Sequence, residues 1–122
     1  MNEAWIFVSI GDAGGDQGLV DLDKVIGMAD SNNHSIPNPD ELEEAVSNLM
    51  AAGLVEANGV ETRLTEAGGK AGAKENARHV GHIQRFLDLD RQWRSRGYPA
   101  PVAKSWFLDE ETWRQAWDAY RR

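Results

Sequence analysis

The sequence predicts a mainly α-helical fold with one small β-hairpin, followed by further helices toward the C-terminal end. Three observations predict it. A capped amphipathic segment begins at Asn38, the pair Asn58-Gly59 separates two short strand candidates at residues 54–57 and 60–64, and apolar stripes at helical spacing run through residues 70–96 and 109–121. With 122 residues, 41% of them hydrophobic, the chain is long enough to bury one modest core.

The clearest helix start lies at residue 38. Asn38 is a good N-cap, Pro39 suits the first helical position, and Glu41 stands where a capping-box carboxylate reaches back to the cap. Gly53 is expected to end this helix, because glycine readily adopts the left-handed conformation that follows a helix C-terminus. The residues between them predict one buried helical face, made of Leu42, Ala45, Val46, Leu49 and Met50.

The segments before this helix are less uniform. Residues 4–10 are almost continuously apolar, so periodicity alone leaves helix and strand both open. Residues 11–18 contain four glycines and predict a mobile loop. A helix can then begin with Asp21 as its N-cap, and residues 30–37 predict a turn-rich connection.

After the helix, Asn58-Gly59 predicts a tight hairpin in which both turn residues have positive φ. Thr65 can cap the next helix, a long one that we expect over residues 70–96. The glycine and two prolines of residues 97–101 break that helix, and Asp109 begins a last one that continues to residue 121.

The order of helices and hairpin, and two short motifs, resemble winged helix-turn-helix proteins of the PadR-like and MarR-like type. The stretch Leu-Met-Ala-Ala-Gly-Leu-Val at residues 49–55, with Leu-Thr-Glu-Ala-Gly at 64–68, is similar to the signature of the third helix and wing in those regulators. The resemblance implies a winged-helix domain over residues 1–68 with residues 4–10 as its first helix. Residues 69–122 would form a C-terminal helical extension.

The charge is divided unequally between these two parts. Residues 1–68 contain thirteen Asp and Glu against two Lys and Arg, a net charge of −11, whereas residues 69–122 contain seven against eleven, a net charge of +4. Because phosphate neutralisation by cations dominates DNA affinity, the first part is a poor candidate for duplex binding by itself.

The chain contains no cysteine, which excludes disulfide scaffolds, iron–sulfur centres and thiol nucleophiles. It also contains no run of eighteen apolar residues, and its first residues lack the basic and apolar regions of a secretion signal. We therefore expect a cytoplasmic protein that does not enter a membrane.

In a DNA-binding winged helix the third helix enters the major groove and presents basic or amide side chains. Here the exposed positions that match carry four carboxylates: Asp40, Glu41, Glu43, Glu44, Ser47, Asn48 and Ala51. An acidic surface that faces solvent or a protein is the stronger interpretation. The candidate interaction surface therefore consists of Glu43, Glu44, Ser47, Asn48 and, on the wing, Arg63.

No motif predicts a metal site, a cofactor or catalysis. Four aspartates between residues 12 and 23 suggest a calcium loop, but Gln17 falls where that loop needs glycine and Asp23 where it needs glutamate. His79 and His82 are spaced to share a metal, yet further ligands are missing. An enzyme would require a site that only the folded chain assembles.

Two features of residues 69–122 suggest contacts. Arginines near Trp93 and Tyr98 could form a platform for single-stranded nucleic acid, but Asp88 and Asp90 interrupt them, and an ordinary amphipathic helix explains them better. A set of aromatic residues is too apolar to stay open in a monomer, so it either covers its own domain or joins a second copy. We favour the second copy, because the resemblance to winged-helix proteins implies a dimer interface built by a helix after the wing. This candidate self-association set consists of Trp106, Phe107, Trp113, Trp117 and Tyr120.

Three hypotheses follow. The first is a non-enzymatic winged-helix module, with a possible regulatory role, that acts through a protein partner or through homodimer formation. The second is a DNA-binding transcription regulator whose dimer supplies cations from residues 70–96. The third, which the sequence supports least, is an enzyme or metal-dependent protein.

Overall fold

The computed structural model describes residues 2–78 and 82–122, and it describes side chains outside residues 75–84. Within these ranges six α-helices accompany one two-stranded antiparallel hairpin. The predicted fold class, mainly α with a small β-hairpin wing and C-terminal helices, is confirmed. The elements are α1 (Asn2–Ile10), α2 (Leu22–Asn33), α3 (Pro39–Ala51), β1 (Val55–Asn58), β2 (Glu61–Leu64), α4 (Glu66–Arg78), α5 (His82–Ser95) and α6 (Glu110–Arg121).

The apolar N-terminal segment is a helix at the centre of the molecule. Every residue of α1 from Ala4 to Ile10 is buried, which explains why its sequence shows no periodicity. The indole nitrogen of Trp5 donates to the carbonyl oxygen of Ala29 at 2.9 Å and joins α1 to α2. The indole N–H of Trp5 is buried away from water, and this hydrogen bond gives it the acceptor that a buried donor needs.

The predicted mobile loop is wrong for residues 11–15, which continue α1 as a π-helical turn. The turn packs closely, because a Cβ atom on Gly15 would lie only 2.6 Å from the carbonyl oxygen of Ile10. Tertiary contacts also hold it. The Asp12 carboxylate accepts hydrogen bonds from Asn32 and from Arg85 on α5.

The turn-rich connection predicted over residues 30–37 starts later in the structure, because α2 continues to Asn33. Asn32 is fully buried, and its amide donates to the Ser9 hydroxyl at 3.3 Å and to Asp12 at 3.1 Å. These contacts with α1 hold the last turn of α2 in place. His34 then ends the helix with a positive φ of 52°. Asp21 is the N-cap residue as predicted, although its side chain makes no cap hydrogen bond.

The capping box of α3 is confirmed. The Asn38 side chain accepts from the backbone amide of Glu41 at 2.8 Å, and the Glu41 carboxylate accepts from the amide of Asn38 at 2.9 Å. Gly53 ends the helix with a φ of 76°, a conformation that glycine adopts without strain.

The hairpin forms one residue later than predicted. Asn58 pairs with Glu61, so Gly59 and Val60 make the turn and Gly59 alone of the two has positive φ. Val20, before α2, forms an isolated antiparallel bridge with Thr62 of β2. This bridge fixes the hairpin against the helices.

The predicted helix over 70–96 corresponds to α4 and α5. Residues 79–81 lie outside the described residues, and they include His79 and Val80, an apolar residue of the predicted stripe. The start at Glu66 follows from Thr65, whose hydroxyl oxygen accepts from the amide of Gly68 at 3.0 Å.

One hydrophobic core includes residues from both predicted parts of the chain. The rings of Phe7 on α1 and Trp93 on α5 lie 5.4 Å apart between centroids. Phe86, Leu89, Trp106 and Leu108 belong to the same buried cluster as α1 to α3. The boundary at residue 68 stays a prediction, and the C-terminal extension contributes directly to the core.

Candidate interaction surface

Helix α3 has one apolar side in the core and one polar side that meets the C-terminal part of the chain. Leu42, Ala45, Val46 and Leu49 are buried in the core. Around the rest of the helix, Glu44 and Ala51 are exposed, whereas Ser47 and Asn48 are buried. The polar residues are buried because another segment lies on them.

That segment, residues 99–108, is called the covering segment here. It follows Gly97, which has a φ of 63°, and contains neither helix nor strand. Its backbone amides donate to side chains of α3. The amide of Val102 donates to Asn48 Oδ1 at 3.0 Å, and the amide of Leu108 donates to Glu43 Oε2 at 2.8 Å.

Between these two contacts, the Ser47 hydroxyl accepts from the amides of Ser105 at 3.0 Å and Trp106 at 3.1 Å. Three neighbouring polar side chains of α3 therefore bind four amides of the covering segment. In a sheet, a neighbouring strand would accept hydrogen bonds from such backbone amides. Here side chains of α3 accept them instead, so these four donors are satisfied.

A charged contact strengthens the same arrangement. The Lys104 ammonium donates to Asp40 and, at 3.2 Å, to Glu43. Hydrogen bonds to these two carboxylates raise the pKa of Lys104 above its usual value, because they favour the charged form. Lys104 therefore stays charged at neutral pH, and its contribution to the contact is lost when alkali deprotonates it.

Alternation along the covering segment places two apolar side chains inside and one outside. Trp106 and Leu108 are buried, whereas 68% of Phe107 between them is exposed. The Trp106 indole donates to the carbonyl oxygen of Gly59 at 2.9 Å. The covering segment therefore contacts both α3 and the turn of the hairpin.

Helix α6 packs on α2 of the same chain. Asp109 caps it by accepting from the Thr112 amide at 2.7 Å, and this hydrogen bond lowers the pKa of the Asp109 carboxyl. The Trp113 indole donates to the carbonyl oxygen of Pro37 at 2.9 Å. Trp113 and Trp117 stack with 6.5 Å between ring centroids, and both are half-buried.

At the far end of α6, the Tyr120 hydroxyl donates to Asp30 at 2.8 Å. This hydrogen bond raises the pKa of Tyr120, since the ionised phenol could no longer donate to the carboxylate. The Tyr120 ring lies over Gly27, where an added Cβ would approach it to 2.9 Å.

Two residues of the predicted interaction surface are not on the surface. Ser47 and Asn48 were expected to be exposed, and that expectation is wrong because the covering segment buries both. Glu43 is partly covered, while Glu44 and Arg63 are exposed. The covering segment has no periodic pattern, so its contacts leave no local signal in the sequence.

The predicted self-association set divides in two. Trp106, Trp113 and Trp117 pack against their own chain, and Tyr120 is anchored to Asp30 although its side chain is partly exposed. This is the intramolecular arrangement that the sequence left open beside a dimer. Phe107 is the member of the set without such cover.

Two hollows adjoin these elements. An open groove of about 410 Å³ lies between the N-terminal ends of α3 and α6, lined by Asn38, Pro39, Asp40, Glu43, Leu108, Glu110 and Trp113. A smaller cavity of about 90 Å³ lies between α1, α4 and α5. The ion pair of Asp12 with Arg85 forms one wall of the smaller cavity, and Gly69 and Gly72 form another.

Among the side chains that the structure describes, no group of three or more His, Asp or Glu is arranged to hold a metal ion. His79 and the side chain of His82 lie outside that part. In residues 2–78 and 82–122 no helix combines the length and apolar character needed to cross a bilayer.

Comparisons of the chain with protein-family models, with curated proteins and with solved structures found no match.

Proposed function

We propose that this chain is a non-enzymatic winged-helix module that acts through contacts with other proteins. One observation carries the proposal. The polar side of α3, which would have to face DNA in a DNA-binding winged helix, is acidic and lies under the chain's own covering segment. Both properties oppose insertion of α3 into a DNA groove.

Opening the covering segment would be costly. Trp106 and Leu108 would leave the core, and burial of a large apolar side chain contributes roughly 1.5–3 kcal/mol. The hydroxyl of Ser47 and the carboxylate of Glu43 would also lose their amide donors. We therefore expect the covering segment to stay packed on α3 in solution.

The alternative is a dimeric DNA-binding regulator, which needs exposed cations beside a free α3. Arg91 and Arg94 on α5 are exposed, but each forms an ion pair on its own helix, with Asp88 and Asp90. On the hairpin, Arg63 lies directly opposite Glu56 of the neighbouring strand. These pairings reduce the positive potential available to phosphates.

Capture of partners tests the proposal. Full-length tagged chain is incubated with lysate of the native host, and each sample is divided and half of it treated with nuclease. We expect specific proteins to stay bound in both halves at similar amounts. Retention of nucleic acid in the untreated half, with loss of every protein after nuclease treatment, would contradict the proposal and favour the DNA-binding alternative.

A further inference from the structure

The groove between the N-terminal ends of α3 and α6 combines an apolar floor with an acidic rim. Pro39, Leu108 and Trp113 form the floor, and Asp40 and Glu110 stand at the rim. The floor exists because the covering segment places Leu108 beside α3 just before α6 begins. Contacts from Leu108 to Glu43 and from Trp113 to Pro37 hold the two helix ends together.

The rim has an excess of negative charge. The side chains of Asp40 and Glu110 are 76% and 75% exposed, and Glu43 adds a third, more covered carboxylate. Lys104 contacts Asp40 and Glu43, and Arg114 contacts Glu110 one helical turn away. Exposed ion pairs of this kind are weak, so an incoming cation can share the carboxylates.

The residue that precedes Leu108 in the chain is apolar and exposed. Phe107 directly precedes the floor residue Leu108 and is the most exposed large hydrophobic residue among those that the structure describes.

We propose that this groove docks a basic segment of a protein partner, a segment that carries a large apolar side chain between lysines or arginines. The apolar side chain lies on the floor formed by Pro39, Leu108 and Trp113, and the cations meet Asp40 and Glu110. Charge complementarity selects this occupant over a second copy of the chain, whose net charge is −7. The inference rests on the proposed function, because it names the partner class for protein contacts.

A labelled synthetic peptide of lysines around one tryptophan and one leucine serves as the probe, with fluorescence anisotropy as the readout and full-length chain as the receptor. A peptide with glutamates in place of the lysines tests the need for charge. A peptide with serines in place of the two apolar residues tests the need for the floor. We expect the first peptide to bind, with affinity that falls as salt rises, and both other peptides to bind at least about tenfold more weakly.

The chain offers a closely matched pair of variants. Glu110 and Glu66 both occupy the first position of a helix, and each pairs with a cation four residues later, Arg114 at 3.0 Å and Lys70 at 3.5 Å. Glu110→Lys is expected to weaken binding of the lysine–tryptophan–leucine peptide about tenfold, whereas Glu66→Lys should change it less than about twofold. Circular dichroism establishes that each variant is folded.

Three results would contradict the proposal that this groove docks a basic segment of a protein partner. Equal losses in the Glu110→Lys and Glu66→Lys variants would mean non-specific attraction to an acidic protein. Equal binding of the lysine–serine peptide would mean that the apolar floor is not used. Self-association of the full-length chain that Glu110→Lys abolishes would assign the groove to a second copy. If the lysine–tryptophan–leucine peptide fails to bind, only the proposal of a docking groove is refuted. If every captured protein is lost after nuclease treatment, the proposed function is refuted.

Discussion

The side-chain oxygen of Ser47 lies 3.1 Å from the backbone nitrogen of Trp106, fifty-nine residues later in the chain, and accepts its hydrogen bond. Ser47 also accepts from the amide of Ser105. A small hydroxyl on α3 thereby fixes the middle of the covering segment, and Trp106 enters the core beside it.

Replacing Ser47 tests this relationship. In Ser47→Ala the amide of Trp106, a buried residue, loses its acceptor, and leaving a buried donor unsatisfied costs about 1–3 kcal/mol. We expect the free energy of unfolding, measured by urea denaturation, to fall by that amount. Glu44→Ala, on the exposed side of the same helix, should stay within about 0.5 kcal/mol of the parent chain. Equal effects at the two positions would show that the covering segment does not lie on Ser47.

Adjacent residues of the covering segment should differ sharply in their contribution to stability. Trp106→Ala removes a side chain that is 6% exposed and should cost about 3–5 kcal/mol. Phe107→Ala removes one that faces solvent and should cost less than about 0.5 kcal/mol. Thermal melts followed by circular dichroism measure both. A larger loss in Phe107→Ala would mean that the inward and outward positions are reversed.

Two glycines one turn apart on α4 should respond to alanine in opposite directions. A Cβ on Gly72 would make ordinary contacts of 3.8 and 3.9 Å with Leu64 and Phe7, so Gly72→Ala should raise stability by up to about 1 kcal/mol through helix propensity. A Cβ on Gly68 would lie 2.1 Å from the carbonyl oxygen of Leu54, so Gly68→Ala should destabilise by about 1–3 kcal/mol. Chemical denaturation distinguishes the two signs, and the same sign for both variants would contradict the placement of α4.

Ionisation of Tyr120 should report on the anchoring of α6. The hydrogen bond to Asp30 raises the folded-state pKa of Tyr120 above the usual tyrosine value of 10.0, so this bond stabilises the fold below that pH and is lost as pH rises through the folded-state pKa. The chain has two tyrosines, and the absorbance difference between the parent chain and Tyr120→Phe isolates this one. Titration at or below the value of free tyrosine, with the fold intact by circular dichroism, would show that Tyr120 does not donate to Asp30.

The sequence predicted those features that depend on local chemistry. The capping box of Asn38 and Glu41, the glycine stop at Gly53 and the cap at Asp109 each need residues within one helical turn, and all three are confirmed. The hairpin was placed within one residue for the same reason.

The features that it missed depend on distant partners. The last turn of α2 and the π-helical turn at residues 11–15 are held by contacts among Ser9, Asp12, Asn32 and Arg85, which are remote in sequence. Ser47 and Asn48 are polar residues on a helix, for which solvent exposure is the ordinary expectation. They are buried because they bind backbone amides, and those amides carry no sequence signature.

A titration with random duplex DNA tests the central claim most directly. Full-length chain is added to labelled duplex at low salt, and the titration is repeated as salt rises. We predict no salt-sensitive binding, because residues 1–68 carry a net charge of −11 and the polar side of α3 is covered. Micromolar binding that weakens steeply with increasing salt would contradict the claim that this chain acts through protein contacts.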